Sequence, residues 1–554
     1  MSRKFADIHV HPSLKPYNNH CFEGMQPTIW EKYPYDKNWK DPARFLSCMA
    51  RKGIKEIARE SQSHLDACGN AQVKCVFLSL YPTERPFFNV QHSDCLSRLF
   101  LPKKKMKYLA QAVSGFPIRK IEKILERVKE GKGVDYFQEE LLPLIDFVIC
   151  QSENASNQKS GYSFKIATDY SEFKKYTKME PKTIAGILTI EGVNSLGNYK
   201  KNALFEKEYE NLSAGEKAFL KKSYVENIRE LKNLKGVKKY TPFFVTFCHH
   251  FNNLLAGHAR SLSYGMRRIL NQEPGMNGTF NVLGRKVLEL LLDKENGRRI
   301  LIDTKHMSIK TRQDYHRYVM NKTRNGERIP IICSHAAVNG WRSFTDAEKY
   351  GPKKRFDKKT YFSCWEINLN DEEILDIYES DGLIGVVLHE GRMPGGKIRK
   401  RIKILKKEIS KSRKSGKNSQ DSEDKLKQVY LELIWSNIFH IIRLIAKDKK
   451  DRNGGPANGW KIISLGSDFD GVIDSLDSFE NVRKLSDLAE GMIDYIHDKK
   501  NPVYYAENGR DIKLRREDLE KLLFHKKIED IVEDIFFNNV DLFLSKYFTN
   551  AYLS

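Results

Sequence analysis

Two histidines one residue apart, His9 and His11, follow a short apolar run in FADIHVHPSL, residues 5–14. A strand alternates faces, so both rings project from one side with Val10 opposite. Two imidazoles on one face at the mouth of a strand can grip one metal ion. Two surface histidines beside an N-terminal strand would give the same pattern. Other runs end similarly: Glu191 in TIEG, His249 and His250 in TFCHH, His306 in DTKHMS, His335 in CSHAA and Asp468 in GSDFDG. Singly, each has a plain structural use as a satisfied histidine, a helix cap or a turn residue. Together, at six strand ends, they offer imidazoles, a carboxylate able to bridge and a second carboxylate free for proton transfer. That is the equipment of a one- or two-metal hydrolase.

The elements that must carry these residues are eight β-rich runs: Phe5–His11, Val73–Tyr81, Thr183–Glu191, Tyr240–Cys248, Arg299–Lys305, Ile329–Ser334, Leu383–His389 and Lys461–Asp468. Runs apolar on both faces suit a covered parallel sheet. Helical periodicity lies between them, in DPARFLSCMARKGIKEIAR, GRKVLELLLDKE and NDEEILDIYES, the last opening on the helix-start signal Asn370. Strands alternating with helices predict an α/β protein, a (β/α)8 TIM-type barrel, as a single domain over 1–554. Long insertions are expected in the βα connections at about 91–182, 192–239 and 390–460. Such connections build the active sites of this architecture. The Ser/Lys/Gly/Asn-rich stretch 410–424 reads as a disordered tip.

Of 554 residues, 40% are hydrophobic and 11% aromatic, which suits a folded globular chain. No apolar leader precedes the first strand and no run reads as a membrane span, so the expected location is cytoplasmic. Nine cysteines without a CxxC pair argue against a disulfide framework or a cysteine-rich zinc site. The net charge of +23 raises the question of nucleic acid, but much of the excess is local. Residues 397–428 carry 13 Lys or Arg against 4 Asp or Glu and read as a solvated helix-loop-helix. No nucleic-acid-binding motif accompanies them.

The order HxH, TIEG, VTFCHHFNN, DTKHMS, CSHAA and GSDFDG resembles the membrane (renal) dipeptidase family of metallopeptidases, within the amidohydrolase superfamily. INLNDEEILDIYESDGLIGVV resembles that family's segment before strand seven, and the C-terminal helices with Asn539 its closing helices. The resemblance implies a dipeptidase cleaving a dipeptide or similar small amide with two divalent metal ions, zinc by expectation. His9 and His11 would hold one ion, Glu191 would bridge, and His306 and His335 would hold the second. His249 would face the substrate, and Asp468 would handle the proton of the attacking water. His250 stands where the family usually has a small polar residue and receives no role.

Two departures follow. The family's first motif is typically His-x-Asp, whereas this chain has His-x-His, the wider superfamily's form, an exchange expected to shift metal affinity or identity. The family's carboxylate-binding Arg before NL is replaced by Ile367, so another cation would have to bind a substrate carboxylate. Arg342 and Arg392 are the candidates, with Arg355 a third. The rival readings are an amidohydrolase acting on a non-peptide amide or lactone, and an inactive barrel binding nucleic acid or an anionic partner. A homodimer is left open.

Overall fold

A computed structural model of the protein describes residues 3–18, 28–32, 61–89, 106–153, 161–178, 182–200, 207–234, 240–262, 266–351, 359–507 and 509–554. The predicted helix in DPARFLSCMARKGIKEIAR and the candidate Arg355 lie outside these residues. All eight predicted strands are present. They are β1 (Phe5–Val10), β2 (Val73–Leu80), β4 (Thr183–Glu191), β5 (Phe244–Thr246), β6 (Leu301–Asp303), β7 (Ile332–Ala336), β8 (Leu383–Val386) and β9 (Ile463–Leu465). Every residue of these eight is buried, as a covered parallel sheet requires. A short strand, β3 (Ser163–Ile166), was not predicted. The order and sense of the strands are those of the (β/α)8 class.

The chain divides into two compact units. The first comprises His9–Asp314, Phe469–Ile473 and Leu544–Ser554. In it β2 lies parallel to β4, with Cys75–Leu80 beside Ala185–Ile190. On β4, β3 runs along Thr183–Gly186, and β5 pairs with Ile190 and Glu191. β6 continues the set, with Leu301–Asp303 beside Phe244–Thr246. Helix Val282–Leu292 starts as its sequence indicates, with the Asn281 side chain accepting from the Gly284 amide.

The second unit comprises Met1–Ile8, Tyr315–Asp468 and Asp474–Phe543. β7, β8 and β9 are parallel, with an irregularity in β7 between Cys333 and Ala336. A Cβ on Gly385 or Gly466 would collide with the Ser334 carbonyl, so only glycine lets the backbones close in beside His335. Helix Asp371–Glu379 carries a full capping box between Asn370 and Glu373. Asn539 donates to the carbonyls of Trp460 and Ile463, which ties the C-terminal helices to the start of β9. Tyr504–Glu507 and Arg510–Lys513 form a further hairpin, β10–β11.

Two expectations change in this unit. The stretch 410–424 is the end of helix Gly396–Lys414, a turn, and the start of helix Gln420–Asp448. Ile398, Ile402 and Ile409 bury one face of the first helix, which holds the basic segment in order. The second helix has 29 residues and is long and apolar enough by composition to cross a membrane, which the sequence reading missed. Its apolar stretch is mostly buried in this unit, with Trp435, Ile438, Phe439 and Ile442 in the core.

Candidate metal centre

β1 delivers His9 and His11 as the alternation requires, with both rings buried. The two Nε2 atoms lie 3.1 Å apart. The His11 amide donates to the Phe469 carbonyl at 2.9 Å, which fixes the strand's exit. Glu191, the last residue of β4, meets both rings: Oε1 is 3.4 Å from His9 Nε2, and Oε2 is 3.2 Å from His11 Nε2. Gly192 follows with φ 92°, a conformation that glycine adopts without penalty and that turns the chain sharply after the carboxylate.

Ligand atoms about 2.0–2.1 Å from a tetrahedral ion lie roughly 3.3–3.4 Å apart. The two imidazole nitrogens, 3.1 Å apart, and the separations of 3.4 and 3.2 Å from each to a different Glu191 oxygen lie within a few tenths of an ångström of that edge. The donor set of two imidazoles and a carboxylate suits zinc or another divalent transition ion. The residues present therefore fit the metal that the motifs imply.

Two more imidazoles approach the same carboxylate. His249 Nε2 and His306 Nε2 are each 3.5 Å from Glu191 Oε1. His306 sits at φ 66°, an uncommon backbone state for a non-glycine residue that the surrounding packing must hold. Burial alone would raise the Glu191 carboxyl. His249, His9 and His11, with the hydrogen bond from His11, instead hold it well below the usual carboxylate range. Burial, reinforced by the neighbouring His249 and Lys305, pushes the His306 imidazole well below its ordinary value against the pull of Glu191. Neutral imidazole and ionised carboxylate are the forms that bind a metal.

Glu84 is the functional candidate that the sequence reading missed. It follows β2, the strand whose end had supplied no candidate. Its Oε2 is 2.7 Å from His249 Nδ1, and it also accepts from the amides of His250 and Phe251. Tyr81 donates to the same carboxylate and sets its ring edge-on against His249. The only signal in the sequence was an acidic residue four positions beyond the strand, in YPTER. Asp303 is a second buried carboxylate, held by the Thr246 hydroxyl at 2.6 Å and the Lys305 amide at 3.1 Å.

The remaining predicted residues belong to the other unit. His335 lies within β7, with its Nδ1 2.9 Å from the Ser334 hydroxyl. Its Nε2 is 4.0 Å from Asp468 Oδ2. Asp468 takes φ 62°, a left-handed conformation like that of His306. Arg392 is buried, with its guanidinium 5.2 Å from the Trp365 ring centre. Burial lowers its pKa to about 10, against the attraction of Asp468. Ile367 is buried as well, and Asn368 donates to the Arg392 carbonyl at 2.8 Å. Arg342 is exposed on the surface.

A parallel α/β barrel with histidines and carboxylates at its strand ends is the class these observations define. No protein-family model and no curated protein matches the chain. Solved structures do. The chain is similar to the probable dipeptidase PvdM from Pseudomonas aeruginosa, at 13% identity over 88% of this chain and 89% of that one, with a TM-score of 0.41. It is similar to a dipeptidase AC described as a metallopeptidase of family M19, at 13% identity over 99% of both chains, TM-score 0.44. A third is a metallopeptidase from Rhodobacter sphaeroides liganded with a phosphinate mimic of the dipeptide L-Ala-D-Ala. It has 12% identity over 91% of this chain and 96% of that one, TM-score 0.36.

Proposed function

We propose that this protein is a metal-dependent hydrolase of the dipeptidase type, cleaving a dipeptide or a similar small amide. The observation that carries the reading is the buried cluster of His9, His11 and Glu191, with the imidazole nitrogens 3.1 Å apart and each within 3.4 Å of one oxygen of the carboxylate. A divalent ion bound there would lower the pKa of a bound water toward neutrality and polarise the scissile carbonyl. Glu191, held ionised, has one oxygen toward each of His9 and His11 and keeps Oε1 near His249 and His306 as well. His249 presents Nε2 to this centre, with its Nδ1 engaged by Glu84. On the resemblance alone, His335 is a further ligand and Asp468 takes the proton from the attacking water at its carboxylate and passes it toward the leaving amine.

The test has two arms. Protein purified without chelator is analysed for zinc, cobalt, manganese and iron, and a panel of dipeptides is assayed before and after chelation. Close to two equivalents of one ion, with dipeptide cleavage lost on chelation and restored by that ion, is the expected result. Metal bound but no dipeptide cleaved, with turnover of lactones or non-peptide amides, would move the substrate to the neighbouring class. No bound metal and no turnover would overturn the reading.

A further inference from the structure

Helix Gly396–Lys414 has two unlike faces. Ile398, Ile402 and Ile409 fix one of them in the core of its unit. With roughly 3.6 residues per turn, the opposite face is Lys400, Ile404, Lys407, Lys411 and Lys414, with Lys403 beside them, and all of these are exposed. From Lys400 to Lys414 the strip runs about 21 Å along the helix. It holds lysines and no carboxylate. Glu408 stands at its edge, where it accepts from the Ser422 hydroxyl of helix Gln420–Asp448 at 3.4 Å.

Other cations of this helix are neutralised within the unit. Arg401 pairs with Glu432 at 2.8 Å, Arg413 with Glu423 at 2.9 Å, and Lys406 with Glu390 and Asp477 at 2.5 and 2.9 Å. No ion pair among the described residues reaches Lys400, Lys403, Lys407, Lys411 or Lys414. The buried isoleucines and the pairs of Arg401 and Lys406 hold the helix in place. The strip is therefore presented preformed, and a partner need not order it.

A straight row of unmatched positive charge on the outer side of one helix fits an extended, flat anionic surface. Two features favour a lipid headgroup layer over nucleic acid. Ile404, 49% exposed, sits in the middle of the lysines. Lysines that snorkel around an apolar side chain are the pattern of helices lying at a membrane interface, and a phosphodiester backbone gains nothing from such a residue. The helix also has no aromatic side chain on which a base could stack, and the strip carries lysine, a point charge, in place of the arginine fork that fits a phosphate.

We propose that this strip docks the protein on an anionic lipid surface, with its lysines among the headgroups and Ile404 entering the boundary of the acyl chains. The contact is peripheral, carried mainly by charge attraction and weakened by salt. It does not rest on the hydrolase reading, and the failure of either leaves the other standing.

The experiment is co-sedimentation of the full chain with vesicles of phosphatidylcholine alone and of phosphatidylcholine mixed equally with phosphatidylserine. The parent should bind the mixed vesicles at low salt, ignore the neutral ones, and come off at high salt. Each lysine near such a surface strengthens binding by about five-fold, so Lys407→Gln with Lys411→Gln should weaken it by about 25-fold. Ile404→Ser should weaken it several-fold with the salt dependence retained. Lys221→Gln with Lys222→Gln, which removes the same charge from an exposed part of helix Ala214–Lys232, should change little. Circular dichroism checks that each variant is folded. No binding to the mixed vesicles at low salt, or equal weakening in the two double variants, would overturn the proposal. So would binding to an oligonucleotide duplex that is tighter than to the vesicles and is lost in the Lys407→Gln, Lys411→Gln variant, which would make nucleic acid the partner.

Discussion

Glu84 Oε2 lies 2.7 Å from Nδ1 of His249, a carboxylate and an imidazole 165 residues apart in the chain. Two backbone amides and the Tyr81 hydroxyl also point at Glu84, so the carboxylate is fixed before it meets the ring. It sets which nitrogen of His249 faces Glu191. Glu84→Gln keeps the shape, removes the charge, and offers an amide that can bond the ring in either sense. A loss of roughly 10–100-fold in metal affinity or turnover is expected, as for other carboxylates that orient a site histidine. The melting temperature should move little. Glu84→Asp, which restores the charge, should recover part of the loss. Parent behaviour in Glu84→Gln would show that His249 is oriented by its packing against Tyr81 alone.

Asp468 occupies a left-handed backbone conformation, and asparagine is among the few residues that share it readily. Asp468→Asn therefore tests the proton-accepting role without a change of fold. Turnover should fall by about 10²–10⁴-fold, the usual contribution of a general acid or base, with metal content retained. Elemental analysis alongside steady-state rates checks this. Turnover within a few-fold of the parent would pass the proton role to another group.

The basic helix Gly396–Lys414 is not a detachable loop. Ile402 is 3% exposed on the face that Ile398 and Ile409 share, and Arg401 pairs with Glu432 on helix Gln420–Asp448 at 2.8 Å. Ile402→Ala should cost about 2–5 kcal/mol in the unfolding of this unit, the range for emptying a buried isoleucine site. Lys400→Ala, on the exposed face, should cost under about 0.5 kcal/mol. Urea unfolding of both variants makes the comparison. An unchanged midpoint for Ile402→Ala would return the segment to the solvated insertion that its charge suggests.

The strands were legible because each lies in a short, mostly apolar run buried on both faces, and the chemistry was legible because it sits at their ends. The run Tyr240–Cys248 shrinks to Phe244–Thr246 because apolar character continues beyond the residues that pair with β6. β3 escaped notice because SFKI is four residues long with one of them exposed. The second helix of the predicted helix-loop-helix was legible, but its full extent to Asp448 was not, because its first turns carry Asp421, Glu423, Asp424 and Lys425, which mask the apolar stretch that follows. Glu84 could not be assigned from sequence at all, since its partner His249 comes from another strand end and only the fold joins them.

Ile367 stands where the resemblance implies a carboxylate-binding arginine, and it is buried. We propose Arg392 as the cation that would compensate. It is buried, lies over Trp365 and is drawn toward Asp468, whereas Arg342 is exposed. A buried guanidinium can take a carboxylate through two parallel hydrogen bonds, and a buried unpaired carboxylate is very costly. Free-acid dipeptides should thus be cleaved in preference to their C-terminal amides. Arg392→Met keeps an apolar stem against Trp365 and removes the charge. It should raise KM for the free acids and bring kcat/KM down by roughly 30-fold or more, the cost of removing one partner of a buried pair, while the amides change little. Arg392→Lys should fall between, since an ammonium supplies charge without the planar fork. Arg342→Met should leave the preference intact. Equal rates on acids and amides in the parent would mean that no cation reads a carboxylate, and would point to a neutral amide or ester as the substrate.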